Sequence, residues 1–278
     1  MQEAFAYCAE LVRAADWDRF IASLFAPAAR RGALHALYAF NVEVSRVRDA
    51  AHAALPGEVR LQWWRDVIEG ERAEEARANP VAAALLASIE RYRLSTATLV
   101  DLLEARRFDL YDDPMATLAD LETYGRRTSS PLFALAAQIL ADETAEPVSR
   151  PAGVAYAFAG LLRALPQQVA RRQLYVPMDV LERHQVRTHD VFAGRSPPGL
   201  KAALAELRDV GRGQLQQASE RAAELPPQAV PAFLPLATVR AALARLDRSD
   251  PFAPAAVPQW RRQWLIWRAA RNPARLAG

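Results

Sequence analysis

The chain has 278 residues, 51% hydrophobic and 24% charged, a balance that fits a soluble globular protein with a sizeable core and excludes a disordered or fibrous chain. Against 32 acidic residues stand 35 basic ones, a net charge of +3, and Lys201 is the only lysine. Asp and Glu are interspersed among the arginines nearly everywhere, so the clustered basic face that nucleic acid requires is missing and no nucleic-acid partner is expected. Cys8 stands alone, which excludes a disulfide framework and a thiolate metal cluster.

Few runs are rich in Val, Ile and Thr, while Ala- and Leu-rich segments dominate, so the fold class expected is all-α in a single domain over 1–278. A first helix is predicted over 3–24, ending before Pro27. Residues 34–49 then keep a helical apolar rhythm through Leu34, Leu37, Tyr38 and Val42, and Asn41, Ser45 and Asp49 fall at successive i, i+4 positions. Such a stripe can point into a bundle. Pro56-Gly57 marks a turn before a helix over Glu58–Glu74, and Asn79-Pro80 breaks the chain ahead of a helix reaching Tyr92. Ser95 or Thr96 can cap the next segment, Leu99–Tyr111, which Arg106, Arg107 and Asp109 make more polar than its neighbours. The adjacent carboxylates of Asp112-Asp113-Pro114 suggest a turn with helix-capping acids rather than a metal site.

A long helix is predicted over Leu118–Leu140, with Pro131 kinking it and the small residues 128–130 admitting a close backbone or a ligand. Residues 142–151 read as a polar surface loop and Val154–Arg172 as a further helix. Asp179 and Glu182 have the spacing of a capping box. Arg195-Ser196-Pro197-Pro198-Gly199 reads as a loop, and helices follow over 200–224, 231–246 and 258–271. In the last, Trp260, Trp264 and Trp267 form a stripe flanked by Arg261, Arg262, Arg268 and Arg271. A stripe of this kind normally completes a core; the alternative is a helix lying in a membrane interface. His35, His52, His184 and His189 lack any zinc-ligand spacing. No run approaches roughly 18 uninterrupted apolar residues, and the N-terminus has neither a signal-peptide pattern nor the acid-free character of a transit peptide, so a cytoplasmic place is expected, with peripheral contact at the inner membrane as an option.

Ala36-Leu37-Tyr38-Ala39-Phe40 ahead of a polar helix, Gln62-Trp63-Trp64-Arg65 and Leu174-Tyr175-Val176-Pro177 resemble, in order and spacing, the squalene/phytoene synthase family over about residues 5–270. The resemblance implies the helical bundle of class I isoprenoid synthases with a central cavity. In that family an Asp-rich D-x-x-x-D helix and a second R-D-x-x-x-D motif clamp Mg²⁺ against a prenyl diphosphate. Carried over, the first motif falls on Ser45, Arg46 and Asp49, and the second, counted back from Leu174-Tyr175-Val176-Pro177, on Ala164 and Gln168. Only Asp49 keeps a carboxylate. Mg²⁺ requires several oxygen ligands, and the arginines crowding these positions repel a cation, so no metal and no confident catalytic residue are expected.

Phe40-Asn41-Val42-Glu43, Val47-Arg48-Asp49, Leu162-Arg163-Ala164, Arg171-Arg172 and Pro231-Ala232-Phe233-Leu234 resemble a divergent branch whose mitochondrial members assist assembly of respiratory complex I. The resemblance therefore implies a catalytically inactive binding or assembly protein, partnered by a respiratory-complex subunit or another assembly protein. The alternatives are a prenyl-diphosphate transferase, which would need Mg²⁺, and a non-catalytic carrier of a prenyl lipid. Candidate ligand-binding residues for a prenyl lipid or diphosphate are Asn41, Arg48, Tyr124, Ser129, Arg163, Arg171, Arg172 and Tyr175. The guanidinium groups suit phosphate oxygens, with helix-end capping as their ordinary role.

Overall fold

The computed structural model describes residues 1–51, 54–273 and 276, with residues 50 and 51 described by their backbone alone; His52 lies outside them. Among the described residues every regular element is a helix. The opening helix is divided at Asp16 into α1 (Gln2–Ala15) and α2 (Trp17–Ser23). Asp16 leaves helical geometry at φ −139° and its carboxylate accepts the Arg19 N–H, which makes it the cap of α2. α3 (Ala28–Ser45) ends at Arg46, and α4 (Val47–Ala51) follows. Asn41 and Ser45 therefore share α3 while Asp49 belongs to α4, so the expected single stripe is broken.

Pro56-Gly57 is not a turn but part of α5 (Ala54–Glu69). Proline near a helix start lacks only an N–H that would have no intrahelical partner. A Cβ at Gly57 would come within 2.5 Å of the Leu110 side chain, so this glycine serves packing. α5 stops short of Glu74, at Gly70 with φ +89°, and α6 (Ala73–Ala78) follows. The punctuation at Asn79-Pro80 holds: Asn79 Oδ1 accepts the Val81 and Ala82 N–H groups and starts α7 (Pro80–Tyr92). Ser95 caps α8 (Thr96–Arg106), which tightens into a 3-10 turn over Arg107–Leu110.

Asp112-Asp113-Pro114 is irregular as expected, but the cap of α9 (Leu118–Thr128) is a box between Thr117 and Asp120, and Asp112 pairs with Arg48 instead. The predicted 118–140 helix breaks at Ser129, giving α10 (Ser130–Ala141). Most of the predicted 142–151 loop is helix: α11 (Glu146–Arg163) starts with Pro147 in its first turn and holds Pro151 within it. After Ala164 comes α12 (Leu165–Ala170), then α13 (Met178–Arg183). The Asp179/Glu182 box does not form, because Asp179 Oδ1 accepts the Leu118 N–H of α9. α14 (Thr188–Phe192) and α15 (Pro198–Glu220) follow. The predicted 231–246 helix is α16 (Val230–Phe233), a 3-10 stretch and α17 (Val239–Leu246); α18 (Gln259–Arg271) closes the bundle.

α11 is the centre, packed against α15, α10, α9 and α17, while α1, α3 and α7 build the adjoining layer. The small residues at 128–130 admit a helix: a Cβ on Gly153 of α11 would lie 2.2 Å from the Ser130 backbone. Trp64, Phe40, Phe133, Phe158 and Phe233 are fully buried. Pro227–Leu246 has a mean hydropathy of 1.4 over its most apolar window, 67% of it buried, so it is core rather than a span. The aromatic stripe of α18 reverses the core expectation. Leu265, Ile266 and Ala269 make its buried face, whereas Trp260, Trp264 and Trp267 are 70%, 49% and 45% exposed. Between α9, α11 and α15 a pocket lined by Phe158, Leu162, Gln168, Tyr175 and Leu207 has a volume of about 10 Å³. That is room for about one water among these side chains.

Candidate functional site

The polar centre of the bundle grows out of the change from α8 to the 3-10 turn, which brings Asp109 back towards Arg106 three residues earlier. Asp109 Oδ2 accepts from Arg106 Nη1 at 3.1 Å. Its Oδ1 accepts the Tyr124 hydroxyl at 2.7 Å and the Tyr175 hydroxyl at 2.5 Å. Arg106 Nη1 also donates to the Tyr124 oxygen at 2.8 Å, and Nη2 reaches Asn41 Oδ1 at 3.5 Å. Gln173 Nε2 donates to the Asp109 carbonyl at 2.8 Å. Phe108 lies edge-on to both tyrosine rings and supplies an apolar wall. The Arg106 and Asp109 side chains are 14% and 13% exposed, so this is a buried ion pair whose charges are met on several sides. Burial pushes both tyrosines well above the usual phenol range, and the Asp109 charge adds to the effect, so both stay neutral O–H donors.

Towards the surface, Arg48 fastens the chain after α3 to two other segments. Its Nη1 donates to the carbonyls of Tyr111 at 2.9 Å and Asp109 at 3.3 Å. Its Nη2 meets Asp112 Oδ1 at 2.5 Å and the Arg171 carbonyl at 3.2 Å. Arg171 Nη1 in turn pairs with Asp49 at 2.7 Å. The carboxylate expected in the first motif is thus held by an arginine three residues beyond Gln168, the last position expected for the second.

The remaining sequence-predicted positions lie outside this network. Ser45 is exposed and its hydroxyl donates to the Val42 carbonyl at 3.2 Å; Arg46 is exposed at the α3–α4 break. Ala164 separates α11 from α12, and Gln168 is buried with Nε2 donating to the Leu161 carbonyl at 2.9 Å. Arg163 is exposed at the end of α11; burial raises the Asp18 carboxyl, and the charges of Arg262 and Arg163 act against the rise. Arg172 is exposed in a left-handed conformation, φ +55°. Ser129 is buried at the α9–α10 break, and its neighbour Ser130 donates to the Arg150 carbonyl at 2.8 Å.

The donor set does not fit the Mg²⁺ that the resemblance implies. Ser45, Arg46, Asp49, Ala164 and Gln168 offer one carboxylate, already neutralised by Arg171, where an octahedral oxygen shell needs several hard ligands. Among the described residues no group of His, Cys, Asp and Glu side chains converges as a metal site. At the centre the Asp109 carboxylate accepts from Arg106 and from both tyrosines, so its two oxygens are engaged within the protein. Asn41, Tyr124 and Tyr175, named as ligand contacts, meet one another through residues that sequence reasoning did not select: Arg106, Asp109 and Gln173. The polarity of 106–109 inside an apolar helix was the available signal.

The family model of squalene/phytoene synthase matches residues 12–268. The NADH dehydrogenase (ubiquinone) complex I, assembly factor 6 of Rattus norvegicus is 30% identical over 246 residues, covering 88% of this chain and 74% of that protein. The 15-cis-phytoene synthase of Synechococcus elongatus is 24% identical over 280 residues, covering 94% and 91%. A crystal structure of a dehydrosqualene synthase in complex with ligand superposes with a TM-score of 0.83 at 18% identity, over 97% of this chain and 96% of that one.

Proposed function

The chain belongs to the squalene/phytoene synthase family, and from that membership we propose that it is a non-catalytic member, a binding or assembly protein for respiratory complex I. The observation that carries the proposal is the Asp49–Arg171 ion pair, together with Arg48 bridging to the Arg171 carbonyl. Where family synthases would bind a metal between acidic motifs, protein cations fasten the same segments, so a diphosphate leaving group meets no magnesium clamp. The likeness to complex I assembly factor 6 over 88% of the chain supports the assembly role. A respiratory-complex subunit or another assembly protein is the partner we propose, with the cytoplasm and the adjoining inner-membrane surface as the place and no metal cofactor required.

Incubation with farnesyl or geranylgeranyl diphosphate and Mg²⁺ tests the loss of chemistry. No squalene- or phytoene-type product is expected, and turnover abolished by Asp49→Ala would reverse the conclusion in favour of the transferase. Deleting the gene tests the role: NADH:ubiquinone oxidoreductase activity of the membranes falls, and unchanged activity refutes the assembly function.

A further inference from the structure

α18 presents a surface that the interior network does not explain. Its exposed stripe of Trp260, Trp264 and Trp267 lies opposite the buried Leu265, Ile266 and Ala269, and the helix contains no acidic residue. The Arg268 guanidinium stacks 4.7 Å from the Trp264 ring and that of Arg271 4.2 Å from the Trp267 ring. Beside the N-terminus of α18 a pocket of about 350 Å³ is lined by Arg245, Arg248 and Arg261. These guanidinium groups make no ion pair among the described residues. The acid nearest them in sequence on α17's end, Asp247, is already taken by Arg208 and Arg212.

We propose that this face of α18, with the arginine pocket beside it, docks on an anionic phospholipid bilayer. Indole rings have an apolar body and a polar N–H, the combination that suits the boundary between acyl chains and headgroups. The unpaired guanidinium groups next to them match phosphate oxygens in charge and in their donor fork. The buried face keeps the helix on the bundle, so the tryptophans enter the interface without any unfolding. Charge complementarity decides against a neutral surface, which would desolvate these cations with nothing to neutralise them. The docking surface rests on the proposed placement beside the inner membrane but not on the assembly role, which vesicle binding does not read.

Sedimentation of the full chain with phosphatidylcholine vesicles, with and without phosphatidylglycerol, tests the proposal. Binding is expected to the phosphatidylglycerol vesicles and to weaken with added salt. Arg245→Gln with Arg248→Gln lowers the affinity roughly 25-fold, about 5-fold for each cation removed. Replacing Trp260, Trp264 and Trp267 by Ala abolishes binding, with circular dichroism confirming that the bundle remains folded. Absence of binding to either vesicle assigns the face to another partner and overturns the proposal. So does equal binding to both vesicles, or full affinity in the folded arginine variant.

Discussion

Asp109→Ala tests whether the polar centre is a structural tie or a vacant reaction site. The substitution leaves the Arg106 guanidinium, 14% exposed, without its counter-ion, and takes the acceptor from the Tyr124 and Tyr175 hydroxyls. Removing one partner of a buried ion pair costs about 4 kcal/mol, because the remaining charge stays desolvated. In a domain of this size that lowers the melting temperature on the order of 10 °C. Asp49→Ala is the control: its pair with Arg171 is 40–49% exposed and screened by solvent, and its loss costs less than about 1 kcal/mol. Thermal and urea denaturation followed by circular dichroism read both. Acids gathered for catalysis commonly sit there at a cost in stability. If Asp109→Ala leaves the protein equally stable or more stable, the structural reading of the network is refuted.

Two further substitutions probe the frame. His35 is buried, with a Ser23 hydroxyl 2.7 Å from Nε2, and burial lowers its pKa to about 4 from an ordinary 6.5. The folded pKa lies below the unfolded one, so the unfolded chain takes up the proton first and stability falls as pH drops from about 6.5 to about 4. The loss is about 3 kcal/mol over that window, and urea midpoints of His35→Gln should show a correspondingly flatter acid limb. Gly153→Ala forces α11 away from the Ser130 backbone, which its Cβ would meet at 2.2 Å, and should destabilise by about 3 kcal/mol in the same measurement. An unaffected Gly153→Ala would show that α10 and α11 can separate freely.

Sequence reasoning succeeded where a signal is local and failed where a tertiary neighbour decides. Asn79-Pro80 and Ser95 cap helices with their own side chains, so α7 and α8 were legible. Pro56, Gly57 and Pro147 look like breaks, yet each lies at or near a helix start, where a missing N–H costs nothing and the space beside Leu110 requires glycine. Asp179 was misassigned because its partner, the Leu118 N–H, comes from a distant segment. The family resemblance pointed to Ser45, Arg46, Asp49, Ala164 and Gln168, but no spacing foretold that Arg171 would reach Asp49 or that Asp109 would collect Tyr124 and Tyr175. The α18 stripe was misjudged because periodicity gives the faces of a helix without saying which is covered.

The Arg48 and Arg171 contacts also bear on motion. An enzyme mouth drawn together by an ion and its substrate alternates between a loose empty form and a tight loaded one. Here the chain's own Arg48 and Arg171 side chains tie the segment after α3 to the segments after α8 and α12, so these segments meet with no ion between them. On the proposed non-catalytic reading, such ties give a partner protein an outline that exists before any ligand arrives.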